Sequence, residues 1–201
     1  MTISNQESLR ELLNVMQMMR GYPHSWCVGG GWAIDLFVGC VSRSHKDIDI
    51  AIWRQDQLVL RSFLVAQGWS VEKAFEGELF PWENNEFLEL PIHGVWCRNP
   101  DSQPDFLEIL LNESNGQNFL FRRDPSITYP LERVIVMSNL GIPVLAPEIV
   151  LLYKAKNSSR AENQSDFETV ISYLNCDRRN WLRKSLKKIH PSHHWLQDLE
   201  E

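Results

Sequence analysis

The chain has 201 residues and a formal net charge of −6, with 43% hydrophobic and 23% charged residues. Its length fits one domain with a substantial appendage or two small domains that share a core, and its composition excludes a disordered chain. The negative net charge disfavours bulk binding of nucleic acid but is compatible with a local basic groove.

The cysteines and the N-terminus indicate the compartment. Cys27, Cys40, Cys97 and Cys176 show neither the spacing of a zinc site nor that of a disulfide framework, so we expect reduced thiols in the core. The N-terminus lacks a basic and apolar leader, and no run approaches the ~18 apolar residues of a membrane span. We therefore expect a cytoplasmic protein with no membrane partner.

The first half of the chain alternates between helix and strand patterns. Ser4 to Glu7 fits a capping box, and the helix that follows is expected to end near Gly21. Apolar residues at helical spacing predict further helices from Trp32 to Gly39 and from Gln57 to Gln67. Strands are predicted at residues 26–28, 47–53, 69–75 and 87–90. This order predicts an α/β layer.

The second half begins with strands and ends with helices. Residues 105–111 form a buried strand pattern around Glu108, and a carboxylate there is costly unless it is paired or binds a metal. Shorter strands are predicted at 119–122 and 142–145, and Pro147 opens a helix that runs to Lys156. Helices are also predicted at 166–174, 181–189 and 194–199, with residues 157–164 as a linker.

The most informative segment combines a glycine turn with two carboxylates. Gly29, Gly30 and Gly31 form a turn in which backbone N–H groups can approach phosphate oxygens closely. Asp47 and Asp49 are two residues apart in the predicted second strand, so their side chains point to one face about 6–7 Å apart. This spacing suits a divalent cation. A phosphate cradle beside it indicates chemistry on a nucleoside triphosphate.

A longer pattern of residues contains this segment. It consists of the run Gly29 to Asp35, then Gly39, Arg43, His45 and Asp47 to Asp49. The pattern resembles the aminoglycoside 2″-type and lincosamide adenylyltransferases of the nucleotidyltransferase superfamily. The match is densest at residues 26–52. The gap of fifteen residues between Gly31 and Asp47 is longer than in the superfamily at large but similar to that of these two enzyme types.

The resemblance implies an α+β fold and a reaction. A mixed β-sheet nucleotidyltransferase domain flanked by helices would span residues 1–145, and a helical C-terminal domain would span residues 146–201, with the active site between them. Members of the family transfer a nucleoside monophosphate to a hydroxyl and release pyrophosphate. Mg²⁺ as cofactor and ATP, or another nucleoside triphosphate, as co-substrate are therefore implied.

The resemblance also implies roles for single residues. The catalytic and metal-binding residues would be Asp47, Asp49 and Glu108. The triphosphate would lie against Gly29, Gly30, Gly31, Arg43, Lys46 and Lys154, of which the last is the more speculative helper. Glu108 would act as a metal ligand, as the general base for the acceptor hydroxyl, or as both.

Several of these assignments have a structural rival. Glu108 competes with Asp105 as the third carboxylate, although Asp105 fits the start of a strand better. An ion pair with Arg122 or Arg123 is the structural alternative for Glu108. His45 fits the orientation of a neighbouring carboxylate or a turn cap better than catalysis.

Two C-terminal clusters suggest other functions. The histidines within residues 190–194 suggest a metal site, but no cysteine or carboxylate lies at ligand spacing. The helix from Arg178 to Lys188 is basic and is compatible with a nucleic-acid patch, although a solvated helix face is favoured.

An acidic segment bears on the acceptor. Residues 76–105 carry seven acidic side chains against a single base, Arg98, with aromatic residues interleaved. If this segment borders the active site, it would attract a polycationic acceptor. Acidic surface loops are the structural alternative.

The predicted function is Mg²⁺-dependent transfer of AMP from ATP to a hydroxyl of a small, possibly cationic acceptor, with an aminoglycoside antibiotic favoured. One alternative keeps the chemistry and changes the acceptor to a lincosamide, an RNA or a protein. Another is a non-catalytic nucleotide-binding module of antitoxin or regulatory type. Nucleic acid is a disfavoured partner, and the oligomeric state stays open.

Overall fold

A computed structural model describes residues 3–200, with side chains from residue 6 onward. The helices are α1 Ile3–Met19, α2 Gly30–Val38, α3 Gln57–Val65, α4 Leu131–Val134, α5 Pro147–Lys154, α6 Ala161–Val170, α7 Cys176–Ile189 and α8 Trp195–Asp198. The strands are β1 Trp26–Val28, β2 Asp49–Trp53, β3 Ser70–Phe75, β4 Glu78–Pro81, β5 Gly94–Arg98, β6 Phe106–Ser114, β7 Asn118–Leu120, β8 Thr128–Pro130, β9 Ile135–Met137 and β10 Pro143–Leu145. The capping box predicted at Ser4 rests on side chains outside the described ones.

The strands form one mixed sheet with the order β4-β3-β5-β6-β2-β1-β10-β9. Off this path, β7 pairs with β6, and β8 pairs with β7. β2 pairs with β6 in parallel and β1 pairs with β10 in parallel, whereas the other pairs are antiparallel. β2 therefore lies in the middle of the sheet, between β1 and β6. The mixed sheet with flanking helices confirms the predicted α+β fold.

The helices contribute an apolar stripe each to a common core. Leu12, Val15 and Met19 of α1 follow helical spacing and are buried. Every residue of α5 from Pro147 to Leu152 is buried. α5 contacts α2 as well as α6 and α7, so the C-terminal helices pack directly on the sheet domain. The division at residue 145 falls between β10 and α5 and stays a prediction.

The ends of several helices follow the predicted chemistry. α2 ends at Gly39, which has the left-handed φ of 86° and donates its N–H to the Asp35 carbonyl oxygen. Pro147 occupies the first position of α5, where its missing N–H has no partner to lose. The Asn175 side chain caps α7 by accepting from the Arg178 N–H.

The strand predicted at residues 87–90 is absent, because side chains take the place of a neighbouring strand. The Leu88 N–H donates to Gln57 Oε1, and the Leu88 carbonyl oxygen accepts from Gln57 Nε2 and Arg54 Nη1. The backbone is thereby satisfied in an irregular segment. Strands β4, β5, β8 and β9 and the short helix α4 escaped the sequence analysis. The predicted linker is shorter than expected, since α6 begins at Ala161.

The second strand also starts later than predicted. It begins at Asp49 rather than at Asp47, because β1 ends at Val28 and the chain turns into α2 at Gly30. No part of β1 is left to pair with Asp47. The expectation that both aspartates share one strand is therefore wrong for Asp47.

The prediction that the cysteines are thiols in the core is confirmed for two of the four cysteines. Cys27 and Cys97 are buried free thiols, as expected, whereas Cys40 and Cys176 are exposed. Within residues 3–200, none of the helices is long and apolar enough to cross a membrane.

Candidate active site

The candidate site lies at the start of β2. Asp49 is the cross-strand partner of Glu108 on β6, and Glu108 is that of Trp96 on β5. On the other side of β2, the Gly29 N–H donates to the Asp49 carbonyl oxygen at 2.8 Å. Cross-strand partners present their side chains on the same face of a sheet. The register thus sets Asp49 and Glu108 side by side, next to the glycine turn.

The carboxylates of Asp49 and Glu108 share a poorly solvated site. Burial is the main cause that raises the pKa of Asp49 to about 7, and the charges of Glu108 and Asp47 add to it. Burial and the Asp47 charge also raise the pKa of Glu108. Among the described residues, neither carboxylate has an ion-pair partner within 4.0 Å, so the predicted rival pairing of Glu108 with Arg122 or Arg123 is absent. Like charges in a desolvated site favour protons or an external cation.

The other two candidate carboxylates lie toward a second, smaller cavity of about 130 Å³. Asp47 and Asp105 both line this cavity, together with Lys46. Asp105 precedes the first residue of β6 and is exposed, whereas Glu108 lies within β6 in register with Asp49. The structure thus supports Glu108 over Asp105 as the third carboxylate.

The glycine turn brings backbone against these side chains. Gly30 has a φ of +55°, and a Cβ there would lie 1.7 Å from Asp49 Oδ2. A Cβ at Gly31 would lie 2.1 Å from Arg43 Nη2. Only glycine fits this approach without displacing a neighbour. The first turn of α2, with its N–H groups free of intrahelical partners, therefore lies directly beside Asp49.

Two of the predicted phosphate-binding cations meet on one buried carboxylate. Asp166 on α6 is fully buried and accepts from Arg43 Nε at 2.8 Å and from Arg43 Nη2 at 3.0 Å. Lys154 Nζ lies 2.8 Å from Asp166 Oδ2. These cations outweigh burial and lower the pKa of Asp166. Sequence reasoning missed this role, because Asp166 is remote in sequence from Arg43 and carries no local signal.

A histidine fixes the loop that leads to Asp47. His45 Nε2 lies 2.6 Å from Asp35 Oδ2, and the Asp35 carboxylate also accepts from the Ser42 N–H and hydroxyl. The His45 ring packs against Trp32 with 4.3 Å between the ring centroids. These contacts confirm that His45 serves a neighbouring carboxylate and tie the loop to α2.

The donor set at the carboxylates suits a hard divalent cation with open coordination. In the described part of the chain, no three or more His, Cys, Asp or Glu side chains lie close enough to hold a metal ion by themselves. Asp49 and Glu108 thus offer two carboxylates, and phosphate oxygens and water would complete the coordination, as Mg²⁺ prefers. By the same criterion, the described histidines within residues 190–194 do not form a metal-binding cluster. His193 Nε2 instead contacts the Ala155 carbonyl oxygen, and His194 Nε2 contacts Gln164.

A cavity of about 270 Å³ opens beside Glu108. It runs along β6 as far as Asn112 and is closed on the other side by Val150 and Tyr153 of α5. Its charged lining residues are Glu108, Arg122, Arg123 and Lys154. Of the acidic segment 76–105, only His93 lines this cavity, so the acidic side chains of that segment lie elsewhere.

The basic helix α7 uses several of its cations in structural contacts. Arg178 forms a salt bridge of 2.7 Å to the fully buried Glu148. Arg179 donates to the carbonyl oxygens of Leu174 and Ile171. These contacts favour the structural interpretation of this helix over a nucleic-acid patch.

The carboxylates on adjacent strands, the glycine turn and the mixed sheet define a nucleotidyltransferase. The family model of aminoglycoside-2″-adenylyltransferases matches residues 11–153, and the chain belongs to this family. The family resemblance found in the sequence is thereby confirmed, and the chain is an adenylyltransferase-type enzyme.

Individual relatives agree with this assignment. A lincosamide resistance protein of Staphylococcus haemolyticus is 24% identical over 121 residues, which is 60% of this chain and 71% of that protein. The solution structure of the antibiotic-resistance factor ANT(2″)-Ia matches with a TM-score of 0.63 at 14% identity, over 95% of this chain and 96% of that one. The lincomycin-bound lincosamide adenylyltransferase LnuA matches with a TM-score of 0.59 at 18% identity, over 82% of this chain and 97% of that one. At these identities the structures show the shared fold.

Proposed function

We propose that the protein transfers AMP from ATP, with Mg²⁺, to a hydroxyl group of a small acceptor. The observation that carries this proposal is the register of β2 on β6, which sets Asp49 beside Glu108 and next to the Gly30 turn. Carboxylates without counter-ions favour a divalent cation, and the N-terminus of α2 favours phosphate.

Asp49 and Glu108 would hold the metal from adjacent strands, and Asp47, whose charge acts on both carboxylates, would complete the set when the ion is bound. When bound, Mg²⁺ supplies positive charge that stabilises the phosphate oxygens during displacement. The site fits this ion because burial, together with the charges of neighbouring carboxylates, disfavours the ionised forms of Asp49 and Glu108 without it, as their raised pKa values indicate.

The triphosphate would lie along the glycine turn. The residues proposed to bind it are Gly29, Gly30, Gly31, Arg43, Lys46 and Lys154. Backbone N–H groups at the start of α2 would bind phosphate oxygens, and the cations would offset their charge. Asp166 sets the positions of Arg43 and Lys154 by binding both.

Glu108 is the proposed general base. The acceptor hydroxyl oxygen attacks the α-phosphorus, a new oxygen–phosphorus bond forms, and the bond from the α-phosphorus to the bridging oxygen breaks. Pyrophosphate leaves, and the hydroxyl proton passes to Glu108. Burial raises the pKa of this carboxyl, which strengthens it as a base.

The volume of the cavity favours a small acceptor over RNA or a protein. The volume of about 270 Å³ beside the base lies just below the usual range of about 300–1,000 Å³ for small-molecule pockets. The relatives are named for an aminoglycoside and a lincosamide, and the sequence favours the first. The acidic side chains behind that preference do not line this cavity. ATP as co-substrate also agrees with the predicted cytoplasmic location.

Pyrophosphate release tests the proposal. We would combine the protein with Mg²⁺, each of the four nucleoside triphosphates and a panel of hydroxyl-bearing acceptors that includes tobramycin and lincomycin, and then determine the mass of the acceptor. The expected result is ATP-dependent gain of one AMP by an acceptor.

Two matched variants assign the third carboxylate. Glu108→Gln should abolish transfer, whereas Asp105→Asn should leave it within a few-fold of wild type. The reverse order would move the base to Asp105. Absence of both pyrophosphate release and Mg²⁺-dependent ATP binding in the wild type would overturn the proposed function.

A further inference from the structure

A row of cross-strand neighbours continues past the candidate site. Glu108 on β6 is the cross-strand partner of Trp96 on β5, and Trp96 is that of Glu72 on β3. Cross-strand partners share a face of the sheet, so the row that begins at Asp49 and Glu108 continues on the same face to Glu72. The row therefore leads from the carboxylates of the candidate site toward the β4 edge of the sheet.

The far half of this sheet face is accessible to solvent, whereas the opposite face is covered. Val71 and Cys97, which alternate with Glu72 and Trp96 along their strands, point to the opposite face and are buried in the core. The residues of β3 and β5 that share the face of Glu108 are partly exposed. We call three of them the open sheet surface: Glu72, Ala74 and Trp96.

Gly94 connects the open sheet surface to Glu108. It lies on β5 two residues before Trp96, on the same face, and a Cβ there would lie 3.2 Å from Glu108 Oε1 and 4.0 Å from the Cβ of Ala74. The Glu108 carboxylate therefore reaches over β5, toward the open sheet surface. Because glycine has no side chain, the space above β5 beside Glu108 and Trp96 is not filled by this strand.

The polar groups of the open sheet surface are available to a ligand. Within residues 6–200, Glu72 has no ion-pair partner, and Trp96 Nε1 donates no hydrogen bond. Arg98, two residues after Trp96, stacks over the rings of Trp96 and Phe106, at 5.5 and 5.0 Å from their centroids, instead of pairing with Glu72. The indole is thus covered by Arg98 from one side and accessible from the side of Gly94.

The strand order separates this surface from the proposed triphosphate site. β5 and β3 lie on one side of β6, whereas β2 and β1, which leads into the glycine turn, lie on the other. In the proposed function both substrates meet in the large cavity, since Gly30 and Lys154 line it together with Glu108. Among the described residues that line this cavity, none belongs to the open sheet surface. The negative charge of Glu72 disfavours a triphosphate there, so this surface is left to the acceptor.

We propose that the open sheet surface is a subsite for the acceptor, in which a sugar ring packs on Trp96 and a protonated amino group binds Glu72 while the reacting hydroxyl lies at Glu108. The inference rests on the proposed function, since it assigns the acceptor subsite of the same site. An indole combines an apolar face with an N–H donor, which matches the mixed surface of a sugar, and an unpaired carboxylate selects a cation.

The register also sets the size of the acceptor. Glu72 and Glu108 are two strands apart, which is about 10 Å between their backbones at the usual strand spacing. An acceptor whose hydroxyl reaches Glu108 while its amino group reaches Glu72 is therefore longer than a single sugar ring.

Two disaccharides of equal length test the proposal. Binding of the β-linked disaccharide of glucosamine and of cellobiose, its glucose counterpart, is measured by NMR titration at low ionic strength and at a pH at which the amines are protonated. The expected result is at least about tenfold tighter binding of the glucosamine disaccharide. Equal affinities, tighter binding of cellobiose, or no detectable binding of the glucosamine disaccharide would overturn the proposal.

Charge variants show whether Glu72 causes this preference. Glu72→Gln should reduce it to less than about threefold, and Glu72→Lys should reverse it. Glu78→Gln is the matched control, because Glu78 is exposed on the neighbouring strand β4 but pairs with Phe75 on the opposite face of the sheet. This control should keep the preference. An equal loss in both Gln variants would mean that the overall charge attracts the ligand, and it would contradict a subsite at Glu72.

A variant of the indole tests the packing of the sugar ring. Trp96→Leu keeps an apolar side chain but removes the flat ring, so it should weaken both disaccharides by a similar factor of about five or more. A melting curve verifies that the variant is folded. Unchanged affinities in folded Trp96→Leu would overturn the role of Trp96.

Binding of a non-hydrolysable ATP analogue with Mg²⁺ separates this proposal from the proposed function. Glu72→Gln should bind the analogue as tightly as the wild type, because β3 lies away from the glycine turn. Weaker binding would assign Glu72 to the nucleotide and overturn the proposal. Failure of the analogue to bind the wild type would instead contradict the proposed function, and the two disaccharides would still decide whether the open sheet surface binds an amino sugar.

Discussion

Two carboxylates near the Gly30 turn meet opposite environments. Asp166, within α6, is bound by Arg43 and Lys154, and these cations lower its pKa. Asp49, at the start of β2, has only carboxylates as close charged neighbours on its strand pair, and its pKa is raised to about 7. The fold gives the first carboxylate direct ion pairs, whereas the second has none within 4.0 Å among residues 6–200.

We infer that this difference separates a positioning residue, Asp166, from a proposed metal ligand, Asp49. A carboxylate whose charge is balanced within the protein stabilises the structure, whereas one held near like charges gains most from an external cation. Asp166 also connects the two regions, because the cations that it binds lower the pKa of Asp49. The site is therefore organised from the C-terminal helices as well as from the glycine turn.

The largest effect is expected from Asp49→Asn. The rate of AMP transfer should fall on the order of a hundredfold to a thousandfold, because the substitution removes a proposed ligand of the metal ion that would stabilise the reacting phosphate. Thermal stability should stay the same or rise, since a buried repulsion is relieved. Steady-state kinetics and a melting curve check both parts. A marked loss of stability would mean that Asp49 is structural like Asp166.

Asp166→Asn should instead lower stability strongly and the rate of AMP transfer less. Removing one partner of a buried ion pair costs about 3–5 kcal/mol of the free energy of unfolding, here with two cations left uncompensated. The KM for ATP should also rise more than kcat falls, because Arg43 and Lys154 lose their common anchor. Glu168→Gln, an exposed position on the same helix, is the control and should change neither quantity appreciably. Equal behaviour of the two variants would contradict the role of Asp166.

Gly30→Ala tests the contact between the turn and Asp49. Both Gly30 and Gly77 have positive φ, at 55° and 85°, but a Cβ at Gly77 would meet nothing within 4 Å. Alanine at either position should cost about 1–2 kcal/mol through backbone strain. Only Gly30→Ala should also reduce AMP transfer, because its Cβ would displace the Asp49 carboxylate. Matching activities of the two variants would refute the close approach.

The smallest expected effect is a pH dependence of the free energy of unfolding. The pKa of Asp166 is lowered in the folded state, so its stabilising effect is fully present above the ordinary aspartate pKa of about 4 and is lost as the pH falls through the lowered folded value. The difference in unfolding free energy between wild type and Asp166→Asn should stay constant from pH 7 to 5 and shrink below about pH 4. Urea unfolding across this range measures it. A difference that already shrinks between pH 7 and 5 would contradict an ionised, paired Asp166.

The sequence predicts those parts of the site that are local in the chain. Three consecutive glycines and two aspartates at a fixed spacing point to the proposed catalytic segment, because the backbone approach and the charge pattern need those residue types. Glu108 could be nominated because a charge in an apolar strand is unusual. Its contact with Asp49 depends on the register of two parallel strands, which no local pattern specifies.

The parts that escaped prediction depend on contacts between remote segments. Gln57 and Arg54 take the place of a neighbouring strand at Leu88, so the apolar residues there do not form the predicted strand. The link from Asp166 to Arg43 and the stacking of two arginines on Tyr153 join segments that the sequence treats separately. Tertiary packing, rather than local propensity, determines these features.

The most direct test of the central claim is calorimetric titration of a non-hydrolysable ATP analogue into the wild type and into Asp49→Asn, each with and without Mg²⁺. The account predicts that Mg²⁺ strengthens nucleotide binding to the wild type by at least about tenfold and that Asp49→Asn, still folded, loses this dependence. Equal Mg²⁺-dependent affinity in both proteins would contradict the assignment of Asp49 as the carboxylate left for a metal-bound nucleotide.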